Sequence, residues 1–390
     1  MNVAIFVDSY LPIINGVVTS INQLKAGLEE EGNTVHIFTV DMPGAQPQDR
    51  VHRFPSIKFG KKTGSMIGLV SHRRVVRSLR ELKIDLVHTH SEYSLGWAGK
   101  RAALELNLPL VHTNHTLWQH YTHYVPWFLL LFFKVEKTMG RFMRGFKFVI
   151  APSVKAEAFY RPLSDPDATF RIIPNGVDHQ GFVTAELTSD EIEAQRAAVG
   201  VGPDDRLAMF AGRIGPEKRV EQLITALIPL LKRRSNFKII LVGEGSSLPH
   251  LKKLTRENGL ERQVIFTGFV NWTQMHRFYR ASQVFVTASV SEVHPMTLIE
   301  AAIAGLPLVA RDDDAYKPLL SDGVNGFLTA SDAGIAEKLE RLFDDEALRV
   351  SFSKASFVRS EAYTAEQHVK SVKAFYDFIR LSSRNYLHSL

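Results

Sequence analysis

Short apolar runs bounded by polar loops recur along the chain and alternate with segments whose apolar residues fall at helical spacing. Val3–Val7 is a continuous apolar run, as expected of a strand buried on both faces of a parallel sheet. After a loop, Val17, Ile21, Leu24 and Leu28 form one stripe of a helix that Gly32 stops. Thr34–Val40, Ile84–His88, Pro109–Thr113 and Lys147–Ala151 repeat the strand signature, with helices between them. In the second half Leu207–Ala211, Lys238–Val242, Gln283–Ala288 and Leu306–Ala310 do the same. The stretch Met296–Ala304 lies between the last two as a helix, stopped by Gly305 and Pro307. Two more helical stretches, Glu346–Glu361 and Ala365–Ser382, follow. One-after-another alternation of this kind predicts the α/β class with doubly wound parallel sheets.

A chain of 390 residues exceeds what one hydrophobic core serves, so two domains are expected. The polar stretch 179–204, with Gly200, Gly202 and Pro203, reads as the linker between a domain over 1–180 and a second over 205–364. The first strand–helix turn lacks G-x-G-x-x-G, which disfavours a nicotinamide cofactor; no cofactor is expected. The absence of cysteine excludes disulfides, thiolate metal sites and a cysteine nucleophile. Val3–Val7 is short and has no basic flank, which argues against a secretory leader and for a cytoplasmic protein. No run approaches the length needed to cross a bilayer.

The formal charge of +6 is unevenly spread. Lys58, Lys61, Lys62, Arg73, Arg74, Arg77, Arg80 and Lys83 lie close together with only Glu81 among them. A second group, Lys134, Lys137, Arg141, Arg144 and Lys147, follows the apolar run Trp127–Phe133. Nucleic acid, an anionic membrane or a solvated surface each explains such charge. The apolar run is too short to span a bilayer. It reads either as a packed helix or as a monotopic one that dips Trp127, Phe128 and Phe132 into an interface beside Lys134, Lys137, Arg141 and Arg144.

Several constellations carry candidate chemistry. Glu292 and Glu300 are separated by seven residues where a loop becomes a helix. A carboxylate as far into the helix as Glu300, on the face of Met296, Thr297 and Ala304, needs a donor partner, and a ribose diol supplies two hydroxyls. Arg213 and Lys218 stand on a loop before a helix, a setting that suits a diphosphate. Asn15-Gly16 stands at another helix start, where turn chemistry is the plain reading and an anion site the functional one. The histidines His88, His90, His112, His115, His120 and His123 have spacings that tempt a zinc reading, but they sit on separate strand ends with no converging carboxylate evident. Asp312-Asp-Asp314 satisfies a D-x-D metal pattern; placed after the last core strand, it reads as a solvated loop.

The stretch from Ser289 to Asp312, with its two glutamates and A-x-A-G-L-P-L-V-A tail, resembles the E-x7-E signature of the retaining glycosyltransferases of family 4. Gly212-Arg-Ile-Gly-Pro-Glu-Lys218, Gly243-Glu-Gly245, Thr113-Asn-His115-Thr and Pro174-Asn-Gly-Val-Asp178 resemble further elements of that family. Within it, HTHSEYSLGWAGK from His88 and the stretch HTNHTLWQHYTHYVP are similar to the bacterial diacylglycerol glucosyltransferases. One departure is Pro295, where the family has glycine.

The resemblance implies two Rossmann-like domains facing a cleft, the GT-B type, with the last helix, about 365–390, packing back on the first domain. It implies that Arg213 and Lys218 hold the donor diphosphate, that Glu292 contacts the sugar and Glu300 the ribose, and that His115 lines the sugar pocket. Gly16, Gly243, Val270, Thr297 and Leu298 complete the expected donor-binding set, and no metal is expected. The expected partners are a nucleotide sugar, UDP-hexose favoured, a lipid acceptor, diacylglycerol favoured, and an anionic membrane surface, with no nucleic acid. The product would be an α-glycolipid made at the inner face of the cell membrane. Alternatives are another acceptor (phosphatidylinositol or a soluble sugar), a sugar-nucleotide epimerase, and a non-catalytic protein that binds the donor.

Overall fold

The structure, a computed structural model, describes residues 1–13, 15–59, 65–115, 135–178 and 187–387. It divides into two units, one of residues 1–176 with the segment from Ala365 onward, the other Val177–Thr364.

The first unit runs β1 (Asn2–Phe6), α1 (Gly16–Glu30), β2 (Thr34–Val40), β3 (Val51–Phe54), β4 (Ser56–Phe59), β5 (Ser65–Gly68), α2 (His72–Glu81), β6 (Leu86–Thr89), α3 (Ser94–Glu105), β7 (Leu110–Thr113), α4 (Val135–Met143), β8 (Phe148–Ala151), α5 (Val154–Tyr160) and β9 (Thr169–Ile172). Seven strands form one parallel sheet in the order β3-β2-β1-β6-β7-β8-β9, and β4 and β5 pair as a separate antiparallel hairpin. The apolar runs are buried strands because helices cover both faces of such a sheet.

The second unit continues with α6 (Ser189–Ala198), β10 (Arg206–Ala211), α7 (Val220–Arg233), β11 (Phe237–Val242), α8 (Leu248–Glu257), β12 (Val264–Gly268), α9 (Trp272–Ala281), β13 (Val284–Thr287), α10 (Met296–Ile303), β14 (Leu308–Arg311), β15 (Gly326–Thr329), α11 (Asp332–Asp344) and α12 (Glu346–Ser360). Its six strands are parallel in the order β12-β11-β10-β13-β14-β15.

The final helix, α13 (Ala365–Leu387), returns to the first unit. Its Val369, Val372, Phe375, Tyr376 and Ile379 enter the core made by Val3, Ile5, Val35 and Ile37 of the sheet and Ile21, Leu24 and Leu28 of α1. Gly27 permits the approach, since a Cβ there would stand 2.7 Å from Val369 Cγ2. A buried cation fixes α4 in the same unit. Lys100 of α3 donates from Nζ to Phe142 O at 2.6 Å and also to Arg144 O, satisfying carbonyls that the end of α4 leaves open. Burial pulls the Lys100 ammonium down to about 8. That anchoring turns Met139, Phe142 and Met143 inward and leaves Lys137, Arg141 and Arg144 exposed.

Two expectations are corrected. The described part of the supposed linker is not a tether, because α6 carries a Thr188–Glu191 capping box and is followed by Val201, buried in the second core. Mixed polarity there marks a helix that is exposed on most of its surface. The acidic run Asp312–Asp314 does not follow the last core strand, because β15 comes after it and pairs with β14. It is a surface loop between strands, where Lys317 binds Asp314 at 2.7 Å and Asp312 at 3.3 Å. Strands β3 and β9 and the β4–β5 hairpin are too short or too mixed in polarity to stand out by periodicity.

Because α13 completes only the first core, Ile379→Ala is expected to destabilise that unit alone, by about 2–5 kcal/mol for a fully buried aliphatic side chain. Denaturant unfolding followed by hydrogen exchange resolves the units. Equal weakening of protection in both would refute this assignment of the helix.

Candidate active site

In the second unit the chain moves outward from β10 through β11 to β12, then resumes on the other side of β10 with β13. The strand order therefore reverses between β10 and β13, and ligands of open α/β sheets bind at the carboxyl ends flanking such a reversal. The two loops there carry the predicted residues. Lys218 Nζ donates to Glu292 Oε1 at 2.6 Å across the reversal point, each side chain under one fifth exposed. Arg213 Nε lies 3.1 Å from Glu217 Oε1, with Glu217 buried and Arg213 half exposed. Ser291 Oγ donates to Glu217 O at 2.9 Å, and Tyr316 Oη to Ser289 O at 3.0 Å, so both loops are tied to the frame. Lys218 closes a 3-10 turn, Pro216–Lys218, and the left-handed Arg219 (φ 53°) then redirects the chain into α7.

The adjacent loops are backbone-on-backbone contacts. Gly243 has φ 138°, and a Cβ there would stand 2.0 Å from Gly212 O. Ile214 N donates to Glu244 O at 2.8 Å and Gly243 N to Gly268 O at 3.0 Å. Glycine at 243 is thus required by the neighbouring loop itself. Val270 is half-buried beyond β12, against the second core.

Helix α10 starts at Met296 with Pro295 as its cap. The Leu298 amide donates to Pro295 O at 3.0 Å and its side chain is in the core, so a donor contact there has to share that amide. Thr297 sits beside it, with its carbonyl 3.3 Å from Tyr279 Oη. Glu300 is buried and finds its partner inside the protein: Tyr279 Oη donates to Glu300 Oε2 at 2.7 Å. Burial pushes its carboxyl up to about 7, against hydrogen bonds from Tyr279 and Trp272 that pull it down. Neither aromatic residue stood out in the sequence, although a buried carboxylate demands a donor and Tyr279 lies on the preceding helix.

In the first unit the reversal falls between β1 and β6. Asp8, buried at the end of β1, accepts from Ser91 Oγ at 2.5 Å, from Ser94 Oγ, and from Leu95 N at 3.0 Å, so its carboxylate sits on the start of α3. Gly16 is the first residue of α1, capped by Asn15, whose side chain accepts from Val18 N at 3.0 Å.

The histidines form hydrogen-bonded groups. His90 Nδ1 and His115 Nε2 are 2.9 Å apart, and His88 pairs with Tyr376 Oη and Thr113 Oγ1, each at 2.6 Å. His112 Nδ1 meets Thr89 Oγ1 at 2.8 Å, while its Nε2 lies 3.5 Å from Glu92 Oε1. A carboxylate does therefore converge on one histidine, contrary to the reading of the sequence. Among the described residues no group of three or more histidine and acidic side chains has the arrangement of a metal site. Trp127, Phe128, Phe132 and Lys134, with His120 and His123, lie outside the described residues.

The raised Glu300 pKa has a testable sign. The folded state holds this proton more tightly than the unfolded chain, whose ordinary value is 4.5, so the stability it contributes is present below 4.5 and is lost as pH rises through about 7. Glu300→Gln removes the charge and should stabilise the second unit at pH 8 by up to about 3 kcal/mol, with little gain at pH 4. A gain of the same size at both pH values, read from chemical denaturation, would contradict a buried titrating carboxyl.

Residues 191–359 match the family described as glycosyl transferases group 1, and residues 14–180 match glycosyltransferase family 4. The chain is 31% identical over 386 residues to an alpha-monoglucosyldiacylglycerol synthase of Acholeplasma laidlawii, covering 96% of each. It is 30% identical over 333 residues to the synthase of the same name from Streptococcus pneumoniae, covering 84% of this chain and 75% of that one. Among solved structures, HepE of Anabaena in complex with UDP-glucose superposes with a TM-score of 0.74 at 19% identity, over the full length of both chains. Two Rossmann-like units of GT-B fold, matched family regions and near full-length identity agree: the chain is a hexosyltransferase and belongs to glycosyltransferase family 4, to which it is joined by the alpha-monoglucosyldiacylglycerol synthases.

Proposed function

We propose that the protein transfers a hexose, glucose being favoured, from a UDP-sugar to diacylglycerol at an anionic membrane surface, with retention of the anomeric configuration. The acceptor rests on one observation, the 31% identity along nearly the whole chain to a synthase whose name specifies glucosyldiacylglycerol. The UDP donor draws support from the UDP-glucose complex of HepE, whose fold the chain shares.

In this reading Lys218, held by its bond to Glu292, and Arg213 bring two positive charges to the diphosphate. Negative charge grows on the leaving phosphate as the glycosidic bond breaks, and the two cations stabilise it most at that moment. Glu292, held by Lys218, orients the sugar hydroxyls. Glu300 accepts the ribose hydroxyls once ionised, His115 is assigned to the transferred sugar, and the backbone around Gly243, Val270 and Thr297 accommodates the nucleotide. No divalent ion is needed where two cations serve.

The membrane reading is supported by α2. Val75, Val76 and Leu79 face inward, and Arg73, Arg74, Arg77 and Arg80 are exposed. Arg74 lies over the Phe54 ring, and Ile57 within β4 and Leu69 just after β5 are each more than half exposed. Exposed arginines beside apolar side chains suit an anionic interface. No helix among the described residues is long and apolar enough to cross a membrane.

Incubation with mixed UDP- and GDP-hexoses and vesicles containing diacylglycerol, followed by mass spectrometry, should yield a hexosyl-diacylglycerol. Free hexose would instead indicate an epimerase, a glycosylated soluble sugar a different acceptor, and no turnover a donor-binding protein. Lys218→Ala should lower kcat about ten- to hundredfold, more than it raises the donor KM, a charge-assisted contact being worth roughly 1.5–3 kcal/mol. Unchanged kcat would remove Lys218 from the site. Replacing Arg73, Arg77 and Arg80 with serine should weaken binding to anionic vesicles by about 1 kcal/mol for each charge at low salt, and by less at high salt. Sedimentation that ignores all three changes would shift the membrane contact away from α2.

A further inference from the structure

His115 is one of a pair, and one nitrogen of its partner has no hydrogen-bond partner among the described residues. His90 follows β6 at the reversal point of the first sheet, and His115 follows β7, the neighbouring strand. His90 Nδ1 and His115 Nε2 are 2.9 Å apart, so one of them carries the shared proton. His90 Nε2 is buried with no hydrogen-bond partner among the described residues, and the residue is only 5% exposed.

A buried N–H without an acceptor is the rarer and costlier defect, whereas a bare lone pair is tolerated more readily. The proton of a neutral His90 therefore belongs on Nδ1. Burial, with the neighbouring His88 second, holds His90 well below the ordinary histidine range, which keeps it neutral. The ring is fixed in place. His88 lies against it at a centroid distance of 3.9 Å and is itself held on both nitrogens by Tyr376 and Thr113. Among the described residues, His112 of β7 and His368 of α13 also bear on His90, and Glu92 on the loop after β6 lies beside His112.

We infer that His90 is a positioning residue that fixes the tautomer of His115: His90 Nδ1–H donates to His115 Nε2, so neutral His115 carries its proton on Nδ1. This is the reverse of the tautomer that an imidazole side chain favours in water. It makes His115 a hydrogen-bond donor through Nδ1 and an acceptor through Nε2, with the ring plane set by His90. The catalytic consequence rests on the assignment of His115 to the transferred sugar made above; the tautomer itself does not.

The test is a long-range proton–nitrogen correlation spectrum of protein labelled with nitrogen-15 histidine. The His115 signals are identified by their loss in His115→Gln. A pyrrole-type Nδ1 and a pyridine-type Nε2 for His115 are expected in the wild type, without donor or acceptor present. The opposite pattern overturns the inference whatever the protein's activity. His90→Asn, whose side-chain amide can donate from nearly the same place, should preserve the pattern. His90→Leu should lose it and lower kcat about tenfold or more, with donor Kd unchanged, as expected of a misplaced side chain rather than a lost ligand contact. Partial recovery of kcat in His90→Asn relative to His90→Leu supports positioning, and equal kcat in the wild type and both variants refutes it. If His90→Leu does not fold, the wild-type and His90→Asn spectra still decide the tautomer. A correct tautomer in a protein that transfers no hexose would count against the proposed function alone.

Discussion

A parallel sheet delivers all its strand ends, and the loops that follow them, to one edge, and where the winding reverses two loops stand side by side with no helix between them. In each unit of this protein those loops are tied together. The first unit does so with a carboxylate: Asp8, after β1, takes hydrogen bonds from Ser91, Ser94 and the Leu95 amide beyond β6. The second does so with an ion pair, Lys218 to Glu292, linking the loops after β10 and β13. Around that pair the neighbouring loops press glycine backbone on backbone, which leaves little freedom to adjust.

The two ties differ in what they leave available. Asp8 is buried, which raises its pKa against the hydrogen bonds that pull it down, and it reads as a structural clamp on the start of α3. Lys218 and Glu292 are partly exposed, so the pair stays within reach of solvent. Paired in this way, neither group bears the cost of an isolated buried charge. Glu300 shows the opposite economy. Its burial under Tyr279 holds a carboxyl near neutrality, where a pair of hydroxyl donors would favour the ionised form.

Much of this was legible because strands buried on both faces spell themselves out as apolar runs. Thr34–Val40 and the helix at Met296 are where the pattern puts them. The two glutamates are readable because spacing across a loop and a helix is a local property. What escaped is non-local or lies on the surface. The Tyr279–Glu300 bond joins residues 21 apart, and the His88–Tyr376 bond residues 288 apart. Glu92 meets His112 only because β6 and β7 are neighbours in the sheet. The helix α6 was lost to its own polarity, since a segment that buries no side chain of its own looks like a linker.

The return of α13 has a consequence for how the molecule is made. Synthesis delivers residues 1–176 ahead of the second unit but withholds the helix that covers Ile21, Leu24 and Leu28 until after it. The second unit, uninterrupted from Val177 to Thr364, emerges complete in between. Domains fold as units while the chain is still growing, usually from the amino terminus onward. Here the order is inverted: the later unit can close while the earlier one waits on the ribosome with an apolar stripe uncovered. A chain that stopped before Ala365 would therefore carry an intact second unit and an exposed, chaperone-accessible first one.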